Sequence, residues 1–358
     1  MNERTKERLK RIAPKVGYPF FYLFCLVVFL SWTFPYDKLK ERIVTTFNAQ
    51  QRNSTAPTEL QIEELDSSWL TGVKAKGVKL ISPSADPTKA PTEIKIDEAR
   101  ARISLLGLLV GNKDVSFGIN AFEGTIKGSF EDSGKERNID VTFDGVDMSK
   151  VDAIAANAGF PLEGKLFGTL KLQLPEGKAS KANGTVNLEI RDMFAGNAKE
   201  LTVKTPLGPF TLPRLKVGNF TVTGDAKEGV LKITKAAASG GDVDVNGEGR
   251  VQLREVATDA HLDVNLKFKI NDAYRSKNDK TKMLFGAPGG KEKPMLEMDP
   301  RMAKSKTADG FYGLKIGGTL AKPDPQPSGG GVVAPGFGST GGSGGSGSGG
   351  SSGGFNFK

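Results

Sequence analysis

An apolar stretch at residues 16–36 constrains the fold of this chain more than any other feature of its sequence. The stretch reads VGYPFFYLFCLVVFLSWTFPY, and no charged residue occurs between Lys15 and Asp37. A helix of this length rises about 30 Å, which is the thickness of the hydrocarbon core of a bilayer. We therefore predict a transmembrane helix at residues 16–36. The side chains expected to anchor it are Tyr18, Phe20, Phe21, Leu23, Leu26, Val27, Phe29, Leu30, Trp32 and Phe34.

The charges that flank this stretch predict its orientation. Basic residues crowd the segment before it, whereas the segment after it mixes acidic and basic residues. Because cytoplasmic flanks carry an excess of Lys and Arg, we expect residues 1–15 in the cytoplasm and the rest of the chain to be exported. The residues that determine this topology are Arg8, Lys10, Arg11 and Lys15. A cleaved signal peptide is the alternative, but residues 31–35 offer no small-x-small cleavage site.

The charge balance and the cysteine content exclude two classes of protein. The net charge is +9, but the first fifteen residues contain six basic side chains against Glu3 and Glu7. The remainder shows no concentrated basic stripe interleaved with aromatic residues, so nucleic-acid binding is not expected. The only cysteine is Cys25, which lies inside the apolar stretch, so the fold cannot depend on an intramolecular disulfide.

After the apolar stretch, the hydrophobic period changes from that of a helix to that of strands. Residues 37–50 place apolar side chains at helical spacing and predict a short amphipathic helix. Strict alternation from residue 60 onward predicts half-buried strands of an antiparallel sheet. The clearest example is residues 262–270. Its predicted apolar face consists of Leu262, Val264, Leu266, Phe268 and Ile270.

These patterns predict a mainly β protein with an elongated antiparallel β-rich domain at residues 37–323 and one or two short helices. Residues 324–358 are rich in Gly and Ser and predict a flexible tail, because they cannot bury enough apolar surface to offset chain entropy. The tail ends in Phe355, Asn356 and Phe357, which could bind a partner's sheet edge or could simply be solvated.

No pattern in the sequence predicts catalysis, a cofactor or a metal. The single histidine, His261, lies between Asp259 and Asp263, but all three side chains project to the polar face of an alternating strand. The chain has no cluster of Cys and His with metal-ligand spacing. The glycine-rich stretch at 286–291 is one residue short of a phosphate-binding loop, and Glu292 follows it where Ser or Thr should bind magnesium. We therefore expect a protein that is not an enzyme.

Five segments resemble the AsmA-like superfamily of Gram-negative envelope proteins: residues 60–80 (LQIEELDSSWLTGVKAKGVKL), 101–130, 162–174, 229–253 and 309–323 (DGFYGLKIGGTLAKP). Within that superfamily, residues 162–174, 229–253 and 309–323 resemble the longer form of the type II secretion system protein N family. The resemblance implies a single-pass protein of the inner membrane with a periplasmic AsmA-like domain. It also implies a scaffold or assembly factor whose partners are other components of the secretion system.

Longer AsmA-like relatives form lipid-conducting β grooves, so the resemblance also implies an alternative, the binding or transfer of phospholipid. A scaffold needs edge strands or exposed patches for its partners, whereas a conduit needs an apolar groove that stays open. The alternation of residues 262–270 fits both hypotheses. We expect a closed core, because soluble domains seldom expose an apolar patch larger than a few hundred Å².

Overall fold

The fold is known from a computed structural model, which describes residues 17–18, 21–22, 24–26, 28–29, 32–52, 57–68, 71–82, 91–104, 107, 111–151, 155, 159–205 and 208–328. The chain divides into two compact units, Met1–Val141 and Thr142–Lys358. The described residues are mainly β, as predicted from the sequence.

Fourteen strands occur in the described residues. Their bounds are β1 Glu59–Ser68, β2 Gly72–Ser82, β3 Thr92–Ile103, β4 Lys113–Ala121, β5 Gly124–Asp132, β6 Glu136–Asp147, β7 Leu162–Pro175, β8 Asn183–Thr205, β9 Gly208–Lys227, β10 Val230–Ser239, β11 Val243–Gln252, β12 His261–Ile270, β13 Tyr312–Gly318 and β14 Pro323–Pro327. Strands β1 to β5 lie in the first unit and β7 to β14 in the second, and within each unit every strand neighbours the next one along the chain. Strand β6 runs across the boundary between the units.

The described residues also include four α-helices, more than the one or two that the sequence predicts. They are α1 Tyr36–Gln51, α2 Asp272–Arg275, α3 Asp279–Phe285 and α4 Pro300–Ser305. Short 3-10 helices occur at Met148–Lys150, Ala179–Lys181, Ala257–Asp259 and Met295–Met298.

The predicted membrane anchor is only partly covered by the described residues. The four basic residues Arg8, Lys10, Arg11 and Lys15 and the anchoring residues Phe20, Leu23, Val27 and Leu30 lie outside them. The described anchoring residues other than Phe34 are helical, and their side chains are exposed, with Trp32 at 89%. Across the described part of the chain, no helix combines the length and the apolar character that a membrane crossing requires.

In the first unit, α1 packs on one face of the first strands. The amphipathic helix predicted at residues 37–50 is confirmed by α1, whose apolar side chains Leu39, Ile43, Val44 and Phe47 face β1 to β3. They pack on the buried cluster Leu60, Leu65, Ala75 and Val78. The helix therefore supplies the second layer of this core, which the strands alone could not close.

In the second unit, the segment between β12 and β13 covers one end of the sheet. Residues 272–309 show little hydrophobic period, so the sequence leaves them partly unassigned, but the segment contains α2, α3 and α4. Helix α3 begins with a capping box in which Asn278 and Thr281 bond each other's backbone N–H. Leu284 of α3 packs on Leu201 and Leu212 of the sheet, so this end has a closed core.

Candidate functional site

The strand register of the second unit brings apolar side chains from seven strands to one face of the sheet. Residues that pair directly across antiparallel strands project to the same face. Val264 of β12 pairs with Gly249 of β11 and with Ile316 of β13. Gly249 in turn pairs with Ile233 of β10, and the chain of pairs continues through Gly224 of β9 to β8 and β7. A continuous apolar face therefore crosses β7 to β13.

The five residues predicted to form the apolar strand face lie on this surface, but they are not equally buried. Val264 and Ile270 are buried, with 8% and 7% of their surface exposed. Leu262, Leu266 and Phe268 are only half-buried. The strand is therefore covered at Ile270, while Val264 is the one buried residue among its less covered apolar side chains.

The covered part lies under the helices. Ile270 packs with Val243, Ala238 and Val217 against Tyr274 of α2, whose side chain is fully buried. The Tyr274 hydroxyl donates a hydrogen bond to the carbonyl oxygen of Pro213 at 2.5 Å, and burial raises the pKa of this tyrosine. This end therefore has the packed and hydrogen-bonded interior that was expected for the whole domain.

A polar contact fixes the helical segment to β13. The carboxylate of Glu297 accepts hydrogen bonds from the Tyr312 hydroxyl at 2.7 Å and from Lys306 Nζ at 2.6 Å. Burial opposes the ionisation of Glu297, but the two hydrogen bonds outweigh it and hold the pKa of the carboxyl below its usual value.

The remaining part of the face is open, and we call it the apolar patch. Its thirteen members are half-buried and belong to none of the buried clusters of the described residues. They are Leu166, Leu170, Leu172, Leu188, Ile190, Val222, Leu231, Ile233, Val251, Leu262, Leu266, Leu314 and Ile316. The described part of the unit provides no second sheet over them, and the main α-helical contacts with its strands involve β9, β13 and β14. In the described part of this face, the buried clusters therefore lie under the helices, while Val186, Ala236 and Val264 are buried singly among the patch residues.

Glycines deepen the floor of the apolar patch. A Cβ atom on Gly247 would lie 2.2 Å from Leu266 Cδ2, so the Leu266 side chain lies directly over that glycine. A Cβ on Gly224 would lie 3.2 Å from Leu231 Cδ1 and 2.6 Å from the carbonyl oxygen of Lys232. Because no side chain rises from these positions, the neighbouring leucines fold down into them, and the patch has a low floor between its larger residues.

The opposite face of β7 to β9 carries a second feature, an open depression of about 420 Å³. Two arginine–aromatic stacks line it, with Arg191 4.3 Å from the ring centre of Phe167 and Arg214 3.6 Å from that of Phe194. Arg214 also forms an ion pair with Glu163. Its Nε atom is buried without a hydrogen-bond partner among the described residues.

The outer edge of β1 in the first unit is capped by a side chain of α1. The Leu60 N–H donates to Asn48 Oδ1 at 2.8 Å, and Asn48 Nδ2 donates to the Leu60 carbonyl at 3.4 Å. An amide side chain therefore occupies the position that the backbone of an added strand would take.

The outer edge of β14 in the second unit is blocked by prolines. The Ser328 N–H donates to the Gly313 carbonyl at 3.0 Å, which shows that even-numbered N–H groups face β13. The backbone nitrogens of the odd-numbered positions face outward. These positions are Pro323, Pro325 and Pro327, which have no N–H to donate. This edge cannot donate hydrogen bonds to an added strand at these three positions.

The residues considered for catalysis do not form a site. His261 is exposed at the start of β12, and Asp263 pairs with Lys315 at 3.1 Å. Among the described residues, no group of three or more His, Cys, Asp or Glu side chains could hold a metal ion.

The comparisons with known proteins identify no relative. No family model, no curated protein and no solved structure matches this chain. The resemblance to AsmA-like proteins therefore stays a prediction from the sequence.

Proposed function

We propose that this protein binds the acyl chains of phospholipid along its apolar patch and is held at the inner membrane by residues 16–36. The observation that carries the proposal is a continuous apolar sheet face between β7 and β13 whose larger side chains are only half-buried. Strands in a sheet lie about 4.8 Å apart, so six spacings give a patch roughly 29 Å wide. A surface of this extent accommodates a long acyl chain along its length.

The chemistry of the patch fits an acyl chain better than a polar ligand. Its thirteen members are all aliphatic, and glycines lower the floor between them. Each methylene group that is transferred from water to such a surface gains about 0.8 kcal/mol. A bound acyl chain would also remove from water the apolar surface that the strands leave open. The acyl chain would then act as the second layer over the sheet.

The predicted anchor places the domain beside a source of lipid. The described part of the anchor is helical with exposed aromatic side chains, as expected for residues whose partners are lipids rather than protein. The protein would then extract or pass on lipid without chemistry, in agreement with the absence of catalytic patterns in the sequence.

A charge placed on the patch tests the proposal. We expect full-length wild-type protein, extracted in mild detergent, to carry phospholipid that mass spectrometry detects. Leu266→Asp should fold, because the carboxylate stays hydrated at a half-exposed position, but it should lose the lipid. Asn265→Asp is the matched control, since it adds the same charge to the neighbouring residue on the opposite face.

Two results would reject lipid binding. One is a wild-type protein that carries no phospholipid. The other is a Leu266→Asp variant that carries as much lipid as Asn265→Asp.

A second candidate function is a scaffold or assembly factor of the type II secretion system. The observation that favours it is the depression with the stacked pairs Arg191–Phe167 and Arg214–Phe194, because arginine and aromatic residues are enriched at the centres of protein interfaces. The capped edges of β1 and β14 argue against a scaffold that works by strand addition.

Secretion assays separate the two functions. A chain with both Phe167→Ala and Phe194→Ala should fail to support secretion of folded proteins if it is a scaffold, while Leu266→Asp should support it. The reverse pattern favours lipid binding. Normal secretion in the strain that lacks the protein would exclude the scaffold.

A further inference from the structure

Residues 329–358 contain a second potential occupant for the apolar patch. This part of the chain is rich in Gly and Ser, and its only charged residue is Lys358. Apolar side chains occur in two groups, the segment VVAPGF at 332–337 and the segment Phe355, Asn356 and Phe357. Aromatic residues have a large apolar area, and two of them at so short a spacing can bind as one unit.

The geometry points to docking of the segment Phe355-Asn356-Phe357 on the apolar patch, where it competes with acyl chains. This inference rests on the lipid-binding function proposed above. The patch is uncovered among the described residues, and the segment belongs to the same chain, so it stays tethered near the patch whether or not it is docked.

The place where the described chain ends brings this segment within reach. Strand β14 pairs with β13 so that Pro325 lies opposite Ile316 and Pro327 opposite Leu314. The prolines therefore continue the apolar face by one strand, and the chain leaves from the margin of the patch. The Ser328 N–H bonds Gly313, which holds the departure point at β13.

The length of the intervening chain matches the size of the patch. Twenty-seven residue steps separate Ser328 from Phe355. A Gly/Ser chain spans about 5–6 Å times the square root of its length, which gives roughly 29 Å. The distance from β14 to β10 is four strand spacings, or about 19 Å, and from β14 to β7 it is about 34 Å. The segment therefore reaches the middle of the patch without being stretched.

The spacing of the two phenylalanines suits a sheet face. In an extended chain, residues two apart project to the same side, so Phe355 and Phe357 would both face the patch while Asn356 faces water. Leu231 and Leu266 fold over Gly224 and Gly247, so the two rings would pack on these leucines. The prolines of β14 oppose strand addition at the edge, so we expect docking across the face and not pairing along the edge.

Tethering makes a weak contact sufficient. A flexible linker of this kind gives an effective concentration in the mM range. At about 3 mM, with an intrinsic Kd of about 1 mM, the segment would occupy roughly three-quarters of the molecules and weaken the apparent affinity for an acyl chain about fourfold. Lipid would then be loaded only by displacing the segment.

Photo-crosslinking in the full-length protein tests the contact itself. We expect p-benzoylphenylalanine at position 357 to form intramolecular crosslinks with patch residues such as Leu266 and Leu314, and Leu266→Asp to reduce their yield. Crosslinks that form only to the polar face, or only between two copies of the chain, would overturn the inference. So would a crosslink yield that is the same in Leu266→Asp as in the wild type.

Binding of a fluorescent long-chain fatty acid to the same full-length protein tests the competition. Phe355→Ser combined with Phe357→Ser should bind the probe about fourfold more tightly than the wild type. The matched control combines Asn356→Phe with Phe357→Asn, which keeps the composition but breaks the spacing, and it should also bind more tightly. Equal affinities in all three proteins would overturn the inference and leave lipid binding intact. If none of them binds the probe, lipid binding itself fails, and the crosslinks alone report on docking.

Discussion

Truncation of Leu266 to alanine should destabilise the protein much less than truncation of Leu212. Leu212 is 2% exposed and packs beneath Leu284 of α3, so its loss leaves a cavity in a closed core. Such a change costs about 3 kcal/mol or more. Leu266 is half-exposed and rests on Gly247, so its loss removes a smaller contact and leaves no closed cavity, at a cost of about 1 kcal/mol.

Urea denaturation followed by circular dichroism measures the difference. With a slope of about 2 kcal/mol per M, the two variants should lower the midpoint by about 1.5 M and 0.5 M, with the slope unchanged. The protein should first be freed of lipid, because a ligand that binds only the folded state would stabilise it. Equal losses in Leu212→Ala and Leu266→Ala would show that Leu266 lies in a closed core, and the argument for an open patch would fail.

Three further predictions concern topology, chemistry and pH. A reporter fused after residue 60 should be active only outside the cytoplasm, and recovery of a soluble, trimmed protein would refute the anchor. His261→Ala should change the free energy of unfolding by less than about 0.5 kcal/mol, because the side chain is exposed, and a folded but inactive variant would reopen the question of catalysis. The lowered pKa of Glu297 predicts stability that is full above about pH 4.5 and is lost as the pH falls through the folded-state pKa. Thermal melts of Glu297→Gln should therefore differ from the wild type at neutral pH and converge with it in acid, and a constant difference would contradict this.

The sequence was sufficient to predict a mainly β protein and the residues of β12 that share a face, but not what covers that face. The alternation from Leu262 to Ile270 reports only which side chains project together. Whether a residue is covered depends on segments far away in the chain, such as Leu284 of α3, which packs on Leu201 and Leu212. The patch-size argument for a closed core assumes a domain without a ligand, and that assumption does not hold for a protein that carries one.

Two local signals were also hard to interpret from the sequence. The box that caps α3 is formed by Asn278 at the N-cap and by Thr281, which stands at N3 where Glu or Gln is usually found. The sequence predicts residues 324–327 to belong to the flexible tail, because the composition of that tail cannot bury enough apolar surface to offset chain entropy. Residues 323–327 nevertheless form β14. The backbone nitrogens of the three prolines face outward, where no donor is needed, while the N–H groups of Asp324 and Gln326 face β13.

The edges and the face of the strands together favour lipid over a partner strand. An exposed edge and an exposed apolar face are both sites of unwanted association, and each edge here has its own device against it. Asn48 bonds the Leu60 backbone at the edge of β1, and three prolines remove donors from the edge of β14. The thirteen aliphatic members of the face include no such device. A single Lys or Glu among them would have prevented association at little cost in stability. A charge on the apolar patch would oppose the binding of an apolar ligand as well as association with a second copy of the protein. This supports the proposal that the patch is kept apolar for a ligand, and replacing Leu266 by Asp tests that proposal at its central feature.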